Sequence, residues 1–430
     1  MGETLTEAAV DAGAVAWVLT STALVFLMTA GLGFFYGGLV RDTNIINTMM
    51  MSVVSMGIVT VTWAVIGFSL AFGDGGKFIG NFDYVLFTNL DLKMWDESGL
   101  PGLCFACFQM TFAIIASAII SGSLVERVRF SAYVWMLALW SLLVYAPLCH
   151  WVWGPGGWIA EMGAMDFAGG TVVHISSGVS GYVAGFIIGP RRHVEKDLGT
   201  ANAPFVILGG SLLWFGWLGF NGGSALVVKD GIASRAVATT LVAAASSMLT
   251  WLGIERAVAG KASSVGASVG AVAGLVCITP SAGFVTPGYS IAIGFLGAIW
   301  CYTSVALVNR VNFVDDTLDA FGLHGSGGIA GAILTGIFAL DGGLIYTGNF
   351  ALLGRQIAGA AAGVAYSAAG TAIILQALKL VMKVRVPEDI ERSGVDENTH
   401  GESFHSPVKR YSNTGPGYPE FSESESSEAA

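Results

Sequence analysis

Charge is scarce in this chain of 430 residues: Lys and Arg number 20, Asp and Glu 30, and together they make 12% of the sequence. Hydrophobic residues make 54% of it, and the mean hydropathy is +0.68. That balance excludes a water-soluble globular fold, whose core at this length needs fewer apolar residues, and makes the lipid bilayer the expected partner. Cysteine is also sparse. Cys104, Cys107, Cys149, Cys277 and Cys301 all lie in or beside apolar segments, which argues against a disulfide framework. Cys104 and Cys107 form a C-x-x-C, read here as two small buried hydrophobes rather than a redox or metal pair. The start, MGETLTEAAVDAG, lacks the basic region of a signal peptide; Gly2 and Thr6 satisfy the form of a myristoylation motif but no basic patch accompanies them. The formal charge of −10 lies largely in the N-terminal segment, one outer loop and the tail. It speaks against nucleic acid and identifies no other partner.

What is abundant is glycine, 59 residues, many inside apolar runs. In a membrane such glycines let helices pack closely. Eleven apolar segments are long enough to cross a bilayer, near 15–40, 48–72, 103–124, 131–152, 169–189, 204–225, 236–254, 264–280, 288–309, 321–340 and 351–380. An odd number puts the termini on opposite sides. One set of alternating loops carries Arg41, Arg127, Arg129, Arg191, Arg192, Lys196, Arg256, Lys261 and Arg310; the other carries Lys77, Lys93, Lys229, Arg235 and Arg355. The excess places the first set, and with it the tail, in the cytoplasm and the N-terminus outside.

Two internal matches organise the spans. HISSGVSG at 174–181 and HGSGGIAG at 324–331 share one pattern in the fifth and tenth spans, and GFFYGG at 33–38 resembles GFNGG at 219–223 in the first and sixth. Both link a span to the one five further on, and because five is odd the second half inserts upside down. The expected fold is an all-α polytopic membrane protein: eleven transmembrane helices, a five-plus-five inverted repeat plus a final helix. Residues 1–382 form the membrane domain and 383–430 a cytoplasmic C-terminal tail. In that tail GVDENTHGESF is expected to order against the membrane domain and the last ~25 residues to be disordered. Ser422, Ser424, Ser426 and Ser427 sit in acidic context that suits phosphorylation.

An ionisable side chain inside a span costs several kcal/mol unless it faces protein or water. His174 and His324 sit in such spans, each with a glycine four residues on, Gly178 and Gly328, that lets another helix come near. At repeat-equivalent positions the two rings are expected to meet near the midplane and line one lumen. Packing histidines are the plain alternative; a metal or haem site is a further one, disfavoured because no thiolate or acidic third ligand accompanies the pair. Asp166, just before the fifth span, is expected to cap it, and a role in attracting a cation at the outer mouth is compatible with that. HWVWGPGGW at 150–158 closes the fourth span with tryptophans that serve as interface anchors, one of them able to hold a small cation over its ring. Phe108 and Phe112 share one face of the third span, and Trp217, Phe220 and Ser224 follow one another along the sixth. Such a stripe is packing by default; Phe112 and Phe220 are the pair placed to form an apolar constriction.

GFFYGGLVR, FQMTFAIIASAIISGSLVERVRFSAY, HWVWGPGG, DFAGGTVVHISSGVSGYVAGFIIGPR, WFGWLGFNGGS and VDDTLDAFGLHGSGGIAG resemble, in order and spacing, the ammonium transporter (Amt/Mep/Rh) family. DFAGGTVVHISSG is the most specific of them, and the tryptophan of HWVWGPGG favours an Amt-type member. The resemblance implies a homotrimer in the plasma membrane with a pore in each subunit, no enzyme activity, no catalytic residues, no metal and no cofactor. It implies Trp153, Phe108 and Ser224 as an external ammonium-recruitment site, Phe112 and Phe220 as a stacked gate, His174 and His324 as pore histidines, and Asp166 as a required acid near the outer mouth. GVDENTHGESF resembles, more loosely, a segment coupling neighbouring subunits, and the tail is where a cytoplasmic regulator would act. The implied function is selective NH4+ recruitment followed by movement of NH3, with or without a separately transferred proton. The rival reading is an ammonium sensor signalling through its tail.

Overall fold

Helices dominate because a backbone in hydrocarbon must satisfy its own polar groups. The computed structural model describes residues 10–90, 94–95, 99–192, 201–311 and 313–405; Gly2, Thr6, the four tail serines and the last ~25 residues lie outside these. Among the described residues eleven helical segments are long and apolar enough to span: α1 Ala12–Leu39, α2 Asp42–Phe72, α3 Gly102–Ser123, α4 Phe130–Met162, α5 Gly170–Ile188, α6 Ala203–Gly223, α7 Ile232–Ala259, α8 Ser264–Ser281, α9 Pro287–Val311, α10 Phe321–Phe338 and α11 Ala351–Val381. All eleven expected spans are present. The ends differ most for α4, whose chain breaks at Gly154 and resumes as a short helix from Trp158 to Met162. Two short tail helices follow, α12 Glu388–Ser393 and α13 Val395–His400. A two-stranded antiparallel ribbon pairs Met94–Trp95 with Leu100–Pro101 before α3.

Helix starts follow local capping chemistry. Asp11, Asn202 and Ser263 accept from the amides of Ala14, Phe205 and Gly266 at the starts of α1, α6 and α8. The most extensive helix pairing is α1 with α6, the first spans of the two halves. Glycine makes it: a Cβ on Gly209 would run into the backbone of Phe35, and one on Gly38 would meet Val206 and the carbonyl of Asn202.

The tail is docked where the sequence suggested. Asp396 accepts from the amides of Ile46 (3.0 Å) and Asn47 (2.7 Å), capping the regular helix of α2. Asn44 Oδ1 accepts from Val395 N at 2.8 Å, and Phe130 meets the His400 ring edge-on. Beneath it lies a charged layer. Arg127, fully buried, donates to the carbonyls of Ser123 and Asp315 and to the Thr317 hydroxyl, all at 2.7 Å. Arg191 pairs with Asp315 (2.8 Å) and Glu126 (3.3 Å), and Arg385 with Glu391 (2.7 Å).

Candidate functional site

Glycines bring the two half-repeat motifs together at backbone distance. A Cβ on Gly178 would collide with Gly325 and the His324 carbonyl carbon, and one on Gly328 with the Gly170 carbonyl and the Ile175 amide. No side chain fits at either crossing. Each motif also leaves α-helical geometry at its histidine: Gly170–Ile175 and Phe321–Gly325 are π-helical turns, an irregularity that redirects side chains and recurs at functional sites. His174 and His324 consequently face one another, both buried, with Nδ1 to Nδ1 at 3.2 Å and ring centroids 5.3 Å apart.

A hydrogen bond between two Nδ1 atoms needs one to donate and the other to accept. The donating ring then has a bare Nε2 and the accepting ring an Nε2–H, so the pair offers an acceptor at one end and a donor at the other. His174 Nε2 is buried and has no partner among the described residues.

Aromatic rings join this pair to a mouth at one end of the fold. His174 stacks on Phe220 (5.9 Å, 23°), Phe220 lies 4.3 Å from Phe112, and Phe112 meets Trp153 edge-on at 6.0 Å. Phe112 and Phe220 are buried, with relative exposures of 1% and 0%. Outside them lies a cavity of about 310 Å³ whose lining includes Trp153, Ser224, Gln109, Phe105, Trp95 and Phe167. The structure thus brings Trp153 and Ser224 to one mouth. Phe108 is fully buried, one layer back from that lining and edge-on to Phe112 at 4.9 Å. The Ser224 hydroxyl donates to the Phe220 carbonyl at 2.9 Å, which leaves its oxygen lone pairs for an incoming donor.

Asp166 is a cap with more amides than the sequence reading foresaw. Its two oxygens accept from Gly169 (2.8 Å), Gly170 (2.6 Å), Thr171 (2.8 Å) and Val172 (3.2 Å), four consecutive amides at the start of α5. Its backbone carbonyl accepts the Trp153 indole N–H at 2.8 Å. One residue therefore orients both the helix that carries His174 and the ring that faces the mouth. Burial pushes its carboxyl above the usual carboxylate range, against the opposing pull of those amides.

Three residues of the site escaped the sequence reading. Asp316 stands eight residues before His324, as Asp166 stands eight before His174. It is buried and accepts from Phe321 N (2.9 Å), Gly322 N (3.2 Å) and the Ser123 hydroxyl (2.5 Å). That shared offset was the available signal. Gln109 lines the mouth with a buried Oε1 that has no partner among the described residues, and nothing in its neighbourhood of sequence marks it. Trp217, expected only as part of a stripe, stacks on His174 at 5.3 Å and 25° while its indole donates to the Thr279 hydroxyl. Among the described residues no group of three His, Cys, Asp or Glu could hold a metal ion. Cys104 and Cys107 are both free thiols.

Residues 16–404 match the Ammonium Transporter Family. An ammonium transporter of Aquifex aeolicus is 47% identical over 404 residues, covering 92% of this chain and 94% of that protein. One of Bacillus subtilis is 45% identical over 391 residues, covering 88% and 95%. Among solved structures, Saccharomyces cerevisiae Mep2 superimposes with a TM-score of 0.83 at 34% identity, covering 88% of each chain. With this fold, these spans and this extent of shared sequence, the chain belongs to the ammonium transporter family.

Proposed function

We propose that the protein carries ammonium across the plasma membrane by recruiting NH4+ at the Trp153 mouth, releasing its proton there and passing NH3 to the histidine pair. The observation that carries this reading is the unbroken ring sequence Trp153, Phe112, Phe220, His174, His324. Size cannot separate NH4+ from K+, which are nearly alike; four N–H donors and the ability to shed a proton can. At the mouth the Trp153 face attracts a cation, while the oxygens of Ser224 and Gln109 accept two of its N–H bonds. Phe108 backs Phe112 rather than touching the ion. Behind them the stacked phenyl rings offer a charge no compensation for lost hydration, so K+ stops and ammonia alone proceeds once the rings rotate apart. NH3 can then donate to the bare Nε2 of one histidine and accept from the Nε2–H of the other. The proton crosses separately or stays outside. Asp166 acts as a positioning residue whose negative charge also favours a cation nearby.

Residues 1–382 form the transport unit, assembled as a homotrimer with a pore in each subunit. The N-terminus faces outside, and residues 383–430 face the cytoplasm as a tail on which a regulator acts. Phosphorylation at Ser422, Ser424, Ser426 or Ser427 would add charge to it. A sensor role is the weaker reading: one similar structure, a sensor Amt protein, is 29% identical with a TM-score of 0.84, covering 90% of this chain and 98% of that one, whereas relatives 47% and 45% identical are ammonium transporters. The test is ammonium uptake by cells lacking their own transporters, with current from proteoliposomes under an NH4+ gradient. Uptake is expected, and current appears only if the proton follows. Intact protein with neither uptake nor current overturns the transport reading and leaves the sensor.

A further inference from the structure

A cavity of about 610 Å³ opens where α11 ends, lined by Arg129, Arg192, Lys379, Lys383 and Arg385 over a floor that includes Ile188 and Val384; among the described residues no acidic side chain lines it. Two of these cations pair with carboxylates, and a third, Arg129, is held by a backbone carbonyl. Arg385 pairs with Glu391 (2.7 Å), Arg192 with Glu388 (3.5 Å), and Arg129 Nε donates to the Arg385 carbonyl (3.0 Å). The lysines are different. Lys379 donates to the Ile187 carbonyl at 2.7 Å, and neither it nor Lys383 has a carboxylate partner among the described residues. Two ammonium groups without a carboxylate among the described residues, beside three oriented guanidinium groups, suit a phosphate, whose oxygens take several charge-assisted hydrogen bonds.

The neighbouring surface separates a lipid phosphate from a free one. Leu380 and Val381, beside the same lysines at the end of this membrane-spanning helix, are 88% and 79% exposed. In a bilayer such side chains lie against acyl chains, and flanking lysines extend to the headgroup level. A dissolved anion gains nothing from that apolar flank, whereas a phospholipid uses both parts. We propose that this cleft binds the headgroup phosphate of an anionic phospholipid, with an acyl chain along Leu380 and Val381.

The test uses the full chain purified in detergent. Binding of dioleoylphosphatidylglycerol, dioleoylphosphatidylcholine and inorganic phosphate is measured by native mass spectrometry and by the shift in Tm. The wild type is expected to prefer phosphatidylglycerol. Lys379→Gln with Lys383→Gln should weaken that binding roughly thirtyfold, from two charges near an anionic headgroup, and leave phosphatidylcholine unaffected. If the double variant does not fold, Lys383→Gln alone should weaken it about fivefold. Equal binding of the two lipids, phosphatidylglycerol binding unchanged by the substitutions, or inorganic phosphate displacing the lipid at equal concentration would each overturn the proposal.

Discussion

The first and second half-repeats use the same parts for different surroundings. In each, an aspartate eight residues before a histidine caps a π-helical turn that aims the ring inward. Asp166 takes four backbone amides, and its carbonyl holds Trp153 beside an aromatic mouth. Asp316 takes two amides and a serine hydroxyl and adjoins the Arg127, Arg191 and Asp315 layer. The shared device fixes where the rings point; what surrounds it decides which chemistry each end meets. Binding a cation suits an electron-rich aromatic cavity, and anchoring a tail suits paired charges.

The comparison breaks most completely at its first residue. Asp166→Ala leaves four amides uncapped and loosens the segment whose backbone carbonyl holds the Trp153 indole, so uptake should fall to background with the protein still in the membrane; Asp316→Ala should lose less, having fewer amides to strand. Substituting the rings comes next. His174→Asp should fold largely intact yet change flux and lower NH4+ selectivity over K+, read from proteoliposome currents with either ion, since a carboxylate in the pore favours a bare cation. Unchanged transport and selectivity would show that the ring only packs.

Gln109→Leu keeps the shape of the mouth and removes an acceptor facing a charged donor. Apparent affinity for ammonium should drop about tenfold, with the maximal rate changed less; an unaltered uptake curve would remove Gln109 from the site. The smallest effect concerns stability at the end that carries the tail. Burial alone would raise the Asp315 carboxyl, but hydrogen bonds from Arg191 and the charges of Arg127 and Arg191 hold it down to about 2. A depressed carboxylate stabilises the fold above its ordinary value near 3.8 and loses that contribution as pH falls through 2. Asp315→Asn should therefore remove about 2 kcal/mol of stability at neutral pH and flatten the acid limb of the Tm profile. Asp166→Asn should give no comparable change in that limb.

Legibility differed between span and site. Apolar length exposed all eleven crossings because hydrocarbon thickness imposes a length on any spanning helix, and their ends shifted where a loop continued helical, as at Trp158–Met162. The histidines were visible because a titratable ring in an apolar run is costly, and Gly178 and Gly328 announced close approach. Asp316 is marked in the sequence only by the eight-residue offset from His324 that Asp166 has from His174, and its role depends on amides and a hydroxyl brought to it by folding. Gln109 could not be read at all: a glutamine in a helix acquires meaning only from what its oxygen lacks. For Phe108 the spacing put it on the face shared with Phe112, and packing set it behind that ring.

Composition and spacing alone determined the bilayer, the eleven crossings, the duplicated halves and the pairing of His174 with His324, because each follows from how often apolar, glycine and titratable residues recur along the chain. The tertiary structure decided which nitrogens face each other, that Asp166 gathers four amides, that Trp153 is held by a carbonyl, and that two lysines at the end of α11 have no carboxylate partner among the described residues. Those are relations between segments far apart in sequence. Distances of a few ångströms between them arise from packing, which no periodicity in one segment encodes.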